Sequence, residues 1–321
     1  MSKENIIQTK NLTKTYGKSR GIENLNLEIY KGEIFGLLGP NGAGKTTTCR
    51  LLLDLIYKTS GTAKIFNREV HHHSTEIRQR TAYLPGDLGL YQNKTAKRNL
   101  QYLLGLYENH IALRRIEELA EIFSLDLDRK VKELSKGNKQ KVGIILALAP
   151  EVELLILDEP TSGLDPLITA EFYNILYKQQ KETGSTVLLS SHLLGEVERV
   201  AHRVGIIREG KIVEVATIQQ LKNMAMKEIK VEFKTKAALQ QFSEKIPTSV
   251  VDSVILNETD ASFMISREDL SKILNLLSQS EVIDIDVTSP TLEDIFLKYY
   301  NTSSSQLESL DNSKEKMEVE G

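Results

Sequence analysis

Continuous apolar runs at residues 33–38, 154–157 and 186–189 are each bounded by turn or polar residues, and each leads toward a helical stretch. Runs of that length and character suit strands buried on both faces of a mostly parallel sheet. Between Leu90 and Pro150 the pattern changes. Residues 99–107, 111–123 and 135–149 carry apolar side chains at helical spacing with no comparable strand, which predicts a helical insertion over about 88–150 of an α/β domain. Further on, Val204 and Ile206, then Ile212, Val213 and Val215, bracket Glu209-Gly210-Lys211, a hairpin in which Gly supplies a positive φ.

The first domain is expected to span 1–226. After it the pattern reads strand 228–235, helix 237–245, strand 250–256, a turn at 257–260, strand 261–265, helix 267–279 and strand 282–287. The order βαββαβ is that of a ferredoxin-like split βαβ module, so residues 227–300 form a small α+β accessory domain. It closes on an amphipathic helix predicted at 292–300. Residues 301–321, short of large apolar side chains and rich in Ser and Glu, are expected to be a disordered tail.

With 321 residues, 40% of them hydrophobic, the chain can bury two ordinary cores. Forty-one Lys and Arg against 44 Asp and Glu leave a net charge of -3, so no nucleic-acid partner is expected. The single cysteine, Cys49, rules out an internal disulfide and reads as a helix-packing residue. No apolar stretch approaches the roughly 18 residues of a membrane helix, which places the chain in the cytoplasm unless a partner holds it at a membrane. His71-His72-His73 reads as a solvated turn, because consecutive side chains diverge and no Cys or acid completes a ligand spacing. Arg78, Arg80, Lys94, Lys97 and Arg98, with acids nearby, read as a solvated face.

Candidate chemistry begins at Gly39-Pro40-Asn41-Gly42-Ala43-Gly44-Lys45-Thr46, which fits G-x-x-x-x-G-K-[ST] between a strand and a helix. Backbone N–H groups of such a loop close around phosphates at a helix N-terminus. Lys45 would reach the β- and γ-phosphates, Thr46 would bind magnesium, and Thr47 completes the ATP-binding set. The strand at 154–157 ends in Asp158 and Glu159. Asp158 would hold magnesium through its water shell, and Glu159 would orient and deprotonate the attacking water. An acid pair after a strand is also an ordinary helix cap. Ser135, opening the helix that follows it with Gly137 allowing close approach, could offer a hydroxyl and a helix N-terminus to a phosphate, but read without context it is an ordinary N-cap.

In this order the motifs resemble the ATP-binding-cassette family over about residues 6–226. Leu134-Ser135-Lys136-Gly137-Asn138 stands for the LSGGQ signature, Ser162-Gly163-Leu164-Asp165 for the D-loop and Ser190-Ser191-His192 for the switch histidine; Tyr16 matches the adenine-stacking aromatic. The resemblance implies a P-loop nucleotide-binding cassette that binds ATP and magnesium and transfers phosphate to water. Glu159, His192 and Lys45 would be its catalytic residues, with His192 contacting the γ-phosphate. Ser135, Lys136, Gly137 and Asn138 would act on nucleotide held by a second cassette, either a second copy or a related chain, in a head-to-tail dimer. A membrane permease on another chain would hold the protein at the inner face of the cell membrane.

Two positions depart from the family pattern. Lys136 and Asn138 replace Gly and Gln of the signature but leave its Ser and second Gly in place. In Tyr83-Leu84-Pro85-Gly86-Asp87 the usual magnesium-sensing Gln is replaced by Gly86, with Asp87 a candidate oxygen ligand one residue later. This variant and the ending Pro290-Thr291-Leu292-Glu293-Asp294-Ile295-Phe296 resemble exporter-type cassettes of bacterial drug, lipid and peptide efflux, which implies export. The rival expectation is a soluble cassette ATPase switching conformation on a ribosome or DNA.

Overall fold

The computed structural model describes residues 4–17, 19–107, 110–224, 227–246, 251–266 and 268–288. The chain divides into two units after Thr217. The break lies ahead of the expected position 226 because the hairpin of Arg203–Arg208 and Lys211–Thr217 closes the first unit and the next helix groups with the second.

The first unit runs β1 (Asn5–Tyr16), β2 (Ser19–Tyr30), β3 (Ile34–Leu38), α1 (Lys45–Leu52), β4 (Ser60–Ile65), β5 (Arg68–Glu69), α2 (Ser74–Gln79), β6 (Thr81–Leu84). The helical insertion follows as α3 (Ala96–Leu104), α4 (His110–Ile122), a 3-10 turn at Val131–Glu133 and α5 (Lys136–Leu148). Then come β7 (Leu154–Asp158), α6 (Pro166–Thr183), β8 (Thr186–Ser191), α7 (Leu194–Val200), β9 (Arg203–Arg208) and β10 (Lys211–Thr217).

Six strands form one sheet in the order β10-β9-β3-β8-β7-β6, parallel except for the edge strand β10. Every residue of β3, β7 and β8 is buried, as continuous apolar runs between two covering layers require. Because β3, β8 and β7 are neighbours and parallel, their C-terminal ends bring the glycine loop, the Ser-Ser-His segment and Asp158 to one edge. A second, antiparallel sheet, β2-β1-β4-β5, was not legible in the sequence. Ile7, Leu25 and Ile29 from it pack with Phe35, Leu37, Cys49 and Leu52 into one core. On the other side Leu100, Phe123, Ile144 and Leu148 of the helical insertion pack with Leu155, Leu157, Phe172 and Tyr173 into another.

Helix α3 begins three residues before the predicted start at Asn99. Thr95 caps it, its hydroxyl accepting from Arg98 N–H at 3.2 Å, so the cap rather than the apolar spacing sets the boundary.

The second unit follows α8 (Ile218–Met224) with β11 (Lys227–Phe233), α9 (Lys236–Lys245), β12 (Val251–Leu256), β13 (Asp260–Ile265), α10 (Leu270–Leu277) and β14 (Val282–Thr288). Its sheet order, β12-β13-β11-β14, is antiparallel throughout, as in the ferredoxin-like module. Ile229, Val231, Phe233, Phe242, Phe263 and Ile273 fill its core. The helix expected at 292–300 and the tail lie outside the described residues.

Candidate functional site

Strand β3 delivers the chain into the loop 39–44, and α1 carries it away. Gly42 and Gly44 adopt φ of 81° and 111°, conformations that favour glycine. At Gly39 an added Cβ would stand 2.3 Å from the Ile207 carbonyl, so backbone packs there with no room for a side chain. Ala43 is buried, Pro40, Thr46 and Thr47 are half-buried, and Asn41 is exposed. Lys45 is 5% exposed and turns its ammonium into the loop, donating to the carbonyls of Gly39 at 2.6 Å and Pro40 at 3.0 Å. The same Nζ lies 3.0 Å from Glu159 Oε1.

Strand β7 ends in the two acids. Asp158 is fully buried, and its Oδ1 accepts from the Ser190 hydroxyl at 2.6 Å. Its Oδ2 is buried with no hydrogen-bond partner. Glu159 sits in the left-handed region at φ 50°, an uncommon conformation for a non-glycine residue. Its N–H lies between the Ser190 carbonyl at 3.2 Å and the Ser190 hydroxyl at 3.1 Å. Its Oε2 is 2.7 Å from His192 Nδ1. Lys45, Asp158, Glu159 and His192 thus converge at one sheet edge.

The residues fit a magnesium ion. A buried carboxylate oxygen without a partner is costly unless a cation compensates it, and Asp158 Oδ2 and the Thr46 hydroxyl are hard oxygen donors of the kind magnesium takes. At Gly86 an added Cβ would stand 3.5 Å from Asp158 Oδ2, so it is Gly86 whose backbone faces the carboxylate, while Asp87 is exposed.

Helix α5 opens at the signature. Ser135 is exposed and caps it, its Oγ accepting from Asn138 N–H at 3.2 Å. Lys136 is also exposed. An added Cβ at Gly137 would meet the Gly163 carbonyl at 2.8 Å, so the signature turn rests on the D-loop of the same chain. Asp165 caps α6, accepting from Ile168 N–H at 2.9 Å, with Pro166 in the first helical position. Among the described residues no hydrogen bond or ion pair joins the signature to the glycine loop. At the end of β1, Tyr16 is 46% exposed with Lys14 Nζ 5.0 Å from the ring centroid, so its ring is not absorbed into the core.

Two residues that sequence reasoning missed, Gln140 and Glu196, and one it named only as part of the Ser-Ser-His segment, Ser190, tie these segments together. Buried Gln140 donates from Nε2 to the Pro160 carbonyl at 2.7 Å, linking α5 to the chain after Glu159. Glu196 accepts from Thr161 Oγ1 at 2.6 Å and from Ser191 Oγ at 2.7 Å, clamping the segment before the D-loop to the segment before His192. Ser190 holds both acids. The one signal for it was its place in the Ser-Ser-His segment; Gln140 and Glu196 lie on helices where a polar residue reads as surface.

Outside this edge, Cys49 is fully buried. Burial first, and the charge of Asp158 second, push its thiol well above its ordinary range. His71 Nδ1 lies 3.2 Å from Asp54 Oδ1, and His73 Nδ1 lies 3.8 Å from Glu76 Oε1. Arg80 pairs with Glu153 at 2.6 Å and Lys97 with Glu117 at 2.9 Å. No helix among the described residues is long and apolar enough to cross a membrane.

The family model described as ABC transporter matches residues 22–162. The bacitracin transport ATP-binding protein BcrA of Bacillus licheniformis is 41% identical over 219 residues, covering 68% of this chain and 71% of that protein. The uncharacterized ABC transporter ATP-binding protein YcbN of Bacillus subtilis is 34% identical over 305 residues, 93% of this chain and 98% of that one. A dimeric structure of the cassette MJ0796 in a post-hydrolysis state with ADP and Pi superposes with a TM-score of 0.61 at 26% identity, over 66% of this chain and 98% of that one. The chain belongs to the ABC transporter family, as one of its ATP-binding, ATP-hydrolysing subunits. The ribosome- or DNA-directed switch gains no support from these relatives.

Proposed function

We propose that this subunit hydrolyses magnesium-bound ATP at sites shared between two cassettes and drives export through a separate membrane permease. The observation that carries the reading is the convergence of Lys45, Asp158, Glu159 and His192 on the loop 39–44, with a buried Asp158 oxygen left over for a cation. Magnesium held by Thr46 and Asp158 would neutralise charge developing on the phosphates.

The chain's own groups do the rest. Backbone N–H groups of the glycine loop, which Pro40 cannot supply, bind the phosphates, and the Lys45 ammonium turns from the carbonyls of Gly39 and Pro40 toward them. Glu159 accepts a proton from the attacking water, and His192, hydrogen-bonded to its other oxygen, keeps that carboxylate aimed and touches the γ-phosphate. Tyr16 offers its exposed face to the adenine.

Ser135, exposed at the head of α5, serves the nucleotide of the second cassette, together with Lys136, Gly137 and Asn138. The dimeric state of MJ0796 supports this arrangement. As the surface that meets the permease we propose a groove of about 520 Å³ lined by Tyr83, Pro85, Leu88, Leu103, Leu106 and Tyr107. Its lining residues Pro85 and Leu88 flank Gly86 and Asp87 in the chain, the segment where the family's magnesium-sensing Gln would stand. The resemblance to exporter cassettes supports export as the direction, with the subunit at the inner face of the membrane; one relative is named a bacitracin transport ATP-binding protein.

Glu159→Gln tests the chemistry. It keeps the side-chain volume, removes the base, and is expected to lower turnover by at least about 100-fold while ATP still binds. Turnover equal to the parent would remove Glu159 from its role.

A further inference from the structure

We propose that Ser190 is a positioning residue for the metal-dependent step: its hydroxyl commits one oxygen of Asp158 and leaves the other for the cation. The inference rests on the magnesium-dependent hydrolysis proposed above.

Parallel pairing of β7 and β8 sets Asp158 directly opposite Ser190. Adjacent strands lie about 4.8 Å apart, and residues in register present their side chains on one face, so a short hydroxyl at this position meets a short carboxylate. A serine hydroxyl has one proton and two lone pairs. The proton goes to Asp158 Oδ1 at 2.6 Å, and a lone pair faces the Glu159 N–H at 3.1 Å. One hydroxyl therefore contacts both acids, the carboxylate of the first and the backbone of the second. Both Asp158 and Ser190 are fully buried, so no solvent competes for these bonds.

Asp158 Oδ1 is occupied and Oδ2 is buried without a partner. With Oδ1 tethered, rotation of the carboxylate is blocked, and Oδ2 is the oxygen presented to a cation. Without the hydroxyl the two oxygens become equivalent and the group can turn. The Glu159 N–H would then keep only the Ser190 carbonyl, at 3.2 Å, to hold a residue in the left-handed region. The three residues before Ser190 in β8, Val187 to Leu189, are all apolar and buried. Packing alone would be met by Ala or Val at position 190, so the hydroxyl is explained by what it bonds.

Manganese, visible by electron paramagnetic resonance, serves as the probe for the magnesium site. The full-length chain is titrated with Mn²⁺ in the presence of a non-hydrolysable ATP analogue. Ser190→Ala is expected to weaken Mn²⁺ binding by about 10-fold or more, the usual effect of removing a group that orients a metal ligand. Nucleotide affinity in EDTA should stay at the parent's level, and Ser190→Thr, which restores the hydroxyl, should recover most of the loss.

Equal Mn²⁺ affinity in Ser190→Ala and the parent overturns the proposal, as does failure of Ser190→Thr to rescue. If Ser190→Ala does not fold, Ser190→Cys, whose thiol is a weak donor, carries the same comparison, and parent-like affinity in it overturns the proposal too. The readout needs no turnover. Absent hydrolysis in the parent therefore counts against the hydrolytic function alone, whereas unchanged metal affinity counts against Ser190.

Discussion

His192 Nδ1 stands 2.7 Å from one oxygen of Glu159, while Lys45 Nζ lies 3.0 Å from the other. The carboxylate is thus held from both sides, by a group on the strand-end loop after β8 and by the ammonium of the glycine loop. Once phosphates engage Lys45, His192 is the remaining side-chain restraint on the acid. His192→Ala should therefore lower turnover by about 100-fold while ATP affinity changes little, since the loss falls on the oriented base rather than on the phosphate loop. Parent-like turnover in steady-state assays would show that the 2.7 Å contact has no catalytic role.

Gln140 carries a structural prediction with a functional consequence. Its amide donates to the Pro160 carbonyl at 2.7 Å in a buried setting, and Gln140→Leu would leave that carbonyl unpaired. The cost expected for an orphaned buried acceptor is about 1–3 kcal/mol. The first unit should melt several degrees lower, and turnover should fall because α5 and the chain after Glu159 are no longer tied. An unchanged melting curve by calorimetry would contradict the first part.

The parallel sheet was legible because β3, β7 and β8 are short, built on continuous apolar runs and closed by turn or polar residues. The glycine loop and the acids were legible because phosphate and metal binding demand particular residues at strand ends. The antiparallel sheet was not. Strand β1 reads inward and outward irregularly, and its pairing with β2 shifts register at four places, so period-2 alternation is lost. Asn11 and Asn24, both at positive φ, sit within these two strands. Gln140, Glu196 and the bonding role of Ser190 were missed for another reason: each acts by hydrogen bonds across elements that only the tertiary fold brings together, and Gln140 and Glu196 belong to no motif that the sequence offered.

Cys49 tests the packing beneath the site. Its thiol is fully buried and its ionisation is pushed well upward, chiefly by burial. It should not react with a thiol reagent in the native state at mildly alkaline pH, and should react at once in denaturant. The linkage has a sign. A folded-state ionisation raised above the unfolded value of about 8.5 contributes stability below that pH and loses it as pH rises beyond, because the unfolded chain releases the proton first. Cys49→Ala should flatten the alkaline fall in stability. Rapid labelling of the native protein would contradict the burial.

The central claim is that ATP is hydrolysed where one cassette's phosphate loop meets another's signature. Lys45→Ala disables the first half of a site, and Ser135→Arg, at the exposed head of α5, disables the second. In a mixed dimer one site combines both defects, while the other pairs an intact phosphate loop with an intact signature. The measurement is ATP turnover after the two inactive variants, differently tagged, are mixed and the mixed dimers isolated through both tags. The shared site predicts that mixing restores part of the parent's turnover. Mixed dimers that remain as inactive as either variant alone would contradict it, because sites built within single chains keep one defect each.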